Sequence, residues 1–338
     1  MMRGDYMNPK YKNAVNDCVK IIAFVLSFFL VLEGLSLSVF SGRSAAKFSA
    51  RLRDAYSFVD EPDNTIQIAC IGNSNMYSGF VPFQLWNDYG YTSTVCASPF
   101  QSVEESIGLM EKMYKTQSPK LVLVETDMFY GSYPKKNSSS KHTISDYFGF
   151  VKPDYFEDGV RNVFSTFVFH NRWKLAHSYK NSSFVKTHGY RFSNKKTNIP
   201  KKDYMAPDND IEKIKPKDIE CINRLVNYCQ SKGSKVVFVT MPCANGWSSG
   251  RHTAVENYCK ENNIEYIDLN NAYDSIGIDM QTCYRDEGTH LNFEGAKKTT
   301  DYLGTIIKNY GTLDSKSNDA KYSYWTEASE KFYAYTKK

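Results

Sequence analysis

No C-x-x-C pair, no internal repeat and no recognised nucleic-acid-binding motif occurs in this chain. The first absence removes a zinc-type cysteine cluster, and the last leaves nucleic acid disfavoured despite a formal net charge of +5. Charged residues are only 23% of the 338, against 41% hydrophobic, which excludes a disordered chain. Eight cysteines are present, but Cys18 precedes a long apolar run, and the seven beyond it cannot all pair. Cys70 and Cys96 fall in strand-like runs and read as small core residues. Cys243 and Cys283 flank loops, and a bridge between them is possible. No metal and no cofactor is expected.

Residues 21–40 form the apolar run, with Glu33 as its only charge. As a helix it spans roughly 30 Å, enough to cross a bilayer. Ser44-Ala45-Ala46 could mimic a signal-peptide cleavage site. The run nevertheless exceeds the roughly 7–15 residues of a signal-peptide core, so an uncleaved anchor is the better reading. Glu33 is costly in lipid and hints at a partner within the membrane. Arg3, Lys10, Lys12 and Lys20 before the span are balanced by Arg43, Lys47, Arg51 and Arg53 after it. Because a large domain translocates largely regardless of such charges, we expect the N-terminus inside and the C-terminal domain outside.

Beyond a connector at 41–63, apolar strand candidates alternate with amphipathic helices over 64–310. The strands read as 67–71, 94–97, 120–124, 235–240 and 264–269, and the helices as 80–89, 103–114, 218–230, 254–262 and 294–308. Strands that are apolar throughout, interleaved with helices, predict a parallel α/β sheet covered on both faces. Residues 128–215 interrupt the rhythm as an insertion, with 17 Lys/Arg against 8 Asp/Glu between 135 and 217. This basic stretch could be a cap that attracts an anionic polymer, or an ordinary solvated surface. The segment 311–338 is a polar, then aromatic, tail.

Two short segments carry the chemistry. In Ile68-Ala69-Cys70-Ile71-Gly72-Asn73-Ser74-Asn75 a strand runs into a small nucleophile at the start of a helix. Such a hydroxyl would project from the carboxyl edge of the sheet, where open α/β sheets bind ligands. Far downstream, Asp286-Glu287-Gly288-Thr289-His290 places acid and imidazole on one loop before the last helix of the α/β pattern. A serine hydroxyl needs an adjacent base, and that base needs an orienting carboxylate. Ser74, His290 and either Glu287 or Asp286 supply those types.

These blocks resemble the SGNH (GDSL-like) hydrolase superfamily over about 67–310, insertion aside: Gly72-Asn73-Ser74 matches its first block and Glu287-Gly288-Thr289-His290 its last. The resemblance implies a flavodoxin-like three-layer sandwich with a central parallel sheet. It also implies an acyl-serine intermediate on Ser74, with His290 shuttling the proton. The superfamily acid lies three residues before the histidine, at Glu287; Asp286 lies four before. The second block normally offers a glycine amide to the oxyanion, but residues 97–102 contain no glycine, and a Gln101 amide is the substitute expected here. In the third block Glu125-Thr126-Asp127 replaces Gly-x-Asn, so Asp127 is protonated, turned away, or an acceptor ligand. Asn73 is a further oxyanion or substrate contact. The single anchor resembles the branch containing the lipoteichoic-acid D-alanylation and alginate O-acetylation proteins. This implies a single-pass membrane protein with an extracytoplasmic domain, a cell-surface polymer as substrate and a membrane-bound O-acyltransferase as partner. The other reading is a catalytically silent polymer-binding or scaffolding partner of such a transferase.

Overall fold

A computed structural model of the chain describes residues 9–38, 40, 52–131, 164, 166–169, 186–207 and 210–337. Most of the expected insertion, including any cap formed by 132–163 or 170–185, lies outside these residues. The chain divides into two compact units, Met1–Ser49 with His142–Ser182, and Ala50–Lys141 with Ser183–Lys338.

In the first unit, helix α1 (Pro9–Leu37) begins earlier than the apolar run, because residues 10–20 contain no glycine or proline to stop it. Its Tyr11–Leu37 portion is long and apolar enough to cross a membrane, with a mean hydropathy of 2.3. Most of its large apolar side chains, Phe24 and Leu30 among them, are exposed. Leu32 and Ser36 are covered, and the Ser36 hydroxyl lies 2.8 Å from that of Thr166, on the single helical turn Thr166–Phe169.

The second unit is built on five strands, β1 (Ile68–Gly72), β2 (Ser93–Ala97), β3 (Leu121–Glu125), β4 (Lys235–Thr240) and β5 (Glu265–Asp268). All neighbours are parallel, in the order β2-β1-β3-β4-β5, the flavodoxin-like order. The register aligns Gly72 with Ala97, Ile71 with Val124, and Thr240 with Asp268, so the carboxyl ends form one edge. Side chains alternate between faces along each strand. Cys70, Leu123, Val237 and Val239 share one core with Met76, Phe80 and Leu303.

The connecting helices are α2 (Ser74–Gly79), α3 (Pro82–Tyr89), α4 (Val103–Met113), α5 (Pro216–Ser231), α6 (Ser249–Asn262), α7 (Tyr273–Ile276) and α8 (Phe293–Asn309), followed by α9 (Ser323–Thr336). Helix α8 packs on α2 and α3, whereas α4 packs on α5. The single helix expected over 80–89 is two helices starting at Ser74. Pro82 cannot continue a helix from before it but fits at the start of a new one. The aromatic tail is α9, which seals α3: Trp325 and Phe332 are fully buried beside Phe83, Trp86 and Tyr190. All eight cysteines are free thiols, Cys243 and Cys283 included.

The return limb of the insertion runs as an extended strap across this unit. His188 accepts from the Val95 amide, Arg191 donates to the Tyr77 carbonyl, and Thr197 to that of Tyr284. The strap thereby links β2, α2 and the segment leading to His290.

Candidate active site

Strand β1 ends on a residue that must lack a side chain. A Cβ on Gly72 would lie 2.5 Å from the Glu125 Cβ and 3.1 Å from that of Met76. The chain then turns through Asn73, whose extended backbone and side-chain oxygen cap α2; Oδ1 accepts from the Asn75 amide at 2.9 Å. Ser74 is therefore the first residue of α2, half-buried at the carboxyl edge. Its N–H is among those a helix start leaves without an intrahelical acceptor.

The His290 loop is closed by an antiparallel bridge between Tyr284 and Leu291, and by the Arg285 amide donating to the His290 carbonyl at 3.1 Å. Within it, Asp286 Oδ1 accepts from the Thr289 and His290 amides at 3.0 and 2.9 Å. Asp286 Oδ2 lies 2.5 Å from His290 Nδ1. Of the two carboxylates that the sequence leaves open, Asp286 is thus the one on the ring. Glu287, at the superfamily's spacing, is exposed. The tight turn explains this, because folding the chain back onto its own amides brings position 286 under the imidazole. Gly288, at φ +100°, packs on Ile199, Ala244 and Asn245, and its carbonyl accepts from the Asn245 amide. His290 Nε2 is buried and has no hydrogen-bond partner among the described residues.

Partial burial pushes the Asp286 carboxyl up, but the His290 ring and the two amides outweigh it and hold the group down at about 2. A carboxyl depressed in the folded state adds stability above its unfolded value, and that stability disappears as pH falls through the folded one. The stability difference between wild type and Asp286→Asn should therefore shrink between pH 3.8 and about 2. Urea unfolding across that range measures it, and a difference that stays constant would contradict the assignment.

The end of β3 completes the edge. Asp127 Oδ2 accepts from Asn73 Nδ2 at 2.8 Å and from Asn75 Nδ2 at 3.2 Å, while Arg251 Nη1 donates to Oδ1 at 3.2 Å. Burial raises the Asp127 carboxyl; the Asn73 hydrogen bond and the neighbouring Arg251 and His290 act against that rise. Asp127 thus bonds both neighbours of Ser74 while lying within electrostatic range of His290. Below it, Glu125 is fully buried, its carboxyl pushed well up by burial and by Asp127; its Oε1 accepts from the Asp127 amide. Arg251 is held by a two-pronged pair with Glu212 at 2.7 and 2.9 Å and lies 4.6 Å over the Tyr130 ring.

Gln101 does not fill the role expected of it. Its backbone amide closes a turn onto Ser98 at 3.1 Å, and its side-chain NH₂ donates to the Cys96 carbonyl and the Ser106 hydroxyl at 2.9 and 3.0 Å. Neither amide has a donor left for an oxyanion. Asn73 uses its side-chain oxygen for the α2 cap and one N–H for Asp127, which leaves its second N–H as a donor. In that turn Phe100 follows Pro99 and adopts φ +55°, with its ring exposed. It thus holds a backbone conformation that glycine adopts at less cost. Arg251 escapes sequence reasoning: it lies 124 residues from Asp127 and belongs to no local motif.

Neither a comparison with family models nor one with curated proteins finds a match. Among solved structures, the chain is similar to a protein of Bacteroides fragilis NCTC 9343 assigned as an acylhydrolase. The identity is 12%, over 80% of this chain and 99% of that one, with a TM-score of 0.38. It is also similar to a GDSL-like lipase of Bacteroides thetaiotaomicron VPI-5482, at 11% identity over 72% and 88% of the two chains, with a TM-score of 0.34.

Proposed function

We propose that this protein is a serine esterase or O-acyltransferase of SGNH type, anchored by α1, with its α/β domain outside the membrane. The substrate is a cell-envelope polysaccharide or teichoic-acid-like polymer, and the partner a membrane-bound O-acyltransferase. The observation that supports the reading is the His290 ring, held at Nδ1 by Asp286 with Nε2 buried and without a partner among the described residues, while Asp127 bonds Asn73 and Asn75 on either side of Ser74. In the reaction, Ser74 Oγ loses its proton to His290 Nε2 and attacks the acyl carbonyl. The leaving alcohol takes that proton as the C–O bond breaks, and an acyl-serine remains. A second hydroxyl, from water or polymer, then gives its proton to His290 as its oxygen attacks the acyl carbon, and His290 passes that proton to Ser74 Oγ as the acyl–serine bond breaks. The Ser74 N–H, left without an intrahelical acceptor at the start of α2, would donate to the oxyanion.

A second reading, a silent polymer-binding scaffold, is favoured by the committed amides of Gln101. A fluorophosphonate probe separates the two. The esterase reading expects wild type to be labelled and Ser74→Ala to be blank. Equal labelling of both would move the nucleophile elsewhere, and no labelling of either would favour the scaffold.

A further inference from the structure

The cations around this edge differ in what they are paired with. Arg251 is paired with Glu212 and Asp127, and Arg191 Nε donates to Asp54 at 3.0 Å. Arg285 has no carboxylate partner among the described residues, although its place in the fold is well defined. Its backbone amide bonds the His290 carbonyl, and its guanidinium lies 5.7 Å from the centre of the Tyr77 ring. Tyr77 is buried and stands three residues along α2 from Ser74, on the same side of the helix. The Arg191 guanidinium lies 4.6 Å from the same ring, and its amide bonds the Tyr77 carbonyl. Tyr77 is therefore an aromatic ring shared by two guanidinium groups, one helical turn along α2 from the proposed nucleophile.

We propose that Arg285, supported on Tyr77 and assisted by Arg191, is an oxyanion-binding subsite. It would recognise a phosphate or carboxylate on the hydroxyl-bearing molecule that accepts the acyl group. This rests on the esterase/acyltransferase reading and narrows it: the acceptor carries its negative charge within reach of the esterified hydroxyl. The planar guanidinium offers parallel N–H donors that match either group, which a point charge on lysine does not. Arg251 offsets Asp127, so the edge does not repel such an acceptor.

The test uses the full chain in non-ionic detergent, in the Ser74→Ala background, where no acyl-serine can form. Glycerol 3-phosphate, glycerate and glycerol are titrated by calorimetry at low ionic strength. At least one anion should bind about ten-fold more tightly than glycerol, the size expected for a charge-assisted hydrogen-bonded contact. Preference for glycerol 3-phosphate alone identifies phosphate as the group recognised, and preference for glycerate alone identifies carboxylate. Adding Arg285→Gln should reduce the discrimination to within about two-fold, and Arg285→Lys should keep part of it. Melting temperatures confirm that each variant is folded. Equal affinities for all three compounds, or a preference that survives Arg285→Gln, would overturn the subsite. Because binding is read without the nucleophile, a failure of fluorophosphonate labelling leaves this result standing, and the converse also holds.

Discussion

Asp286→Asn is expected to slow turnover of an activated ester by about 10³–10⁴-fold, while Glu287→Gln leaves it within about two-fold. The reason is the tautomer. With a carboxylate at Nδ1, the ring carries its proton there and keeps Nε2 as the base. An asparagine can still accept the Thr289 and His290 amides at Oδ1, so the loop keeps its shape. Its NH₂ then faces Nδ1, and the ring must accept there and carry its proton on Nε2. A ring in that form cannot take a proton from Ser74. Glu287 is exposed, so neutralising it changes only a solvated charge. Single-turnover assays on the two variants, with melting temperatures as a control, measure the contrast. Equal losses, or a larger loss for Glu287→Gln, would return the orienting role to the superfamily's spacing.

Much of the sheet was legible in the sequence, because fully buried parallel strands are apolar at consecutive positions. KLVLV at 120–124 and KVVFVT at 235–240 appear as β3 and β4 with shifts of no more than a residue. Boundaries of the longer amphipathic helices were legible to within two residues at α4, α5 and α8. Pro82, which splits the expected 80–89 helix from α2, shows the cost of reading apolar spacing without it. The site was legible in its residue types and not in its hydrogen bonds. Spacing alone favours Glu287, because it carries no information on the turn that folds Asp286 under the ring. Gln101 has the right chemistry for an oxyanion donor, but its donors satisfy Cys96, Ser98 and Ser106, an assignment that depends on how the loop closes. Arg251 and Arg285 were invisible as site residues because their neighbours, Asp127 and Tyr77, come from distant parts of the chain.

Arg251→Met is expected to lower kcat/KM by about 10²-fold, and Asp127→Asn in that background to restore at least about ten-fold. Asp127 stands where the sequence resemblance would place a neutral amide, and Arg251 lies against it at 3.2 Å. Without that guanidinium, the carboxylate would face the negative charge that develops on the carbonyl oxygen during attack. A mostly buried carboxylate is poorly screened by solvent, so the repulsion would fall on the transition state rather than on binding. Asparagine at 127 removes the charge and keeps an oxygen to accept from Asn73 and Asn75. Arg251 also anchors Glu212 and stacks on Tyr130, so the single substitution alone does not isolate the charge effect. A double-mutant cycle on kcat/KM does isolate it. Multiplicative losses across the cycle would mean that Arg251 serves only the Glu212 and Tyr130 side, whereas rescue by Asp127→Asn would mean that this chain replaces the superfamily's amide with a neutralised ion pair.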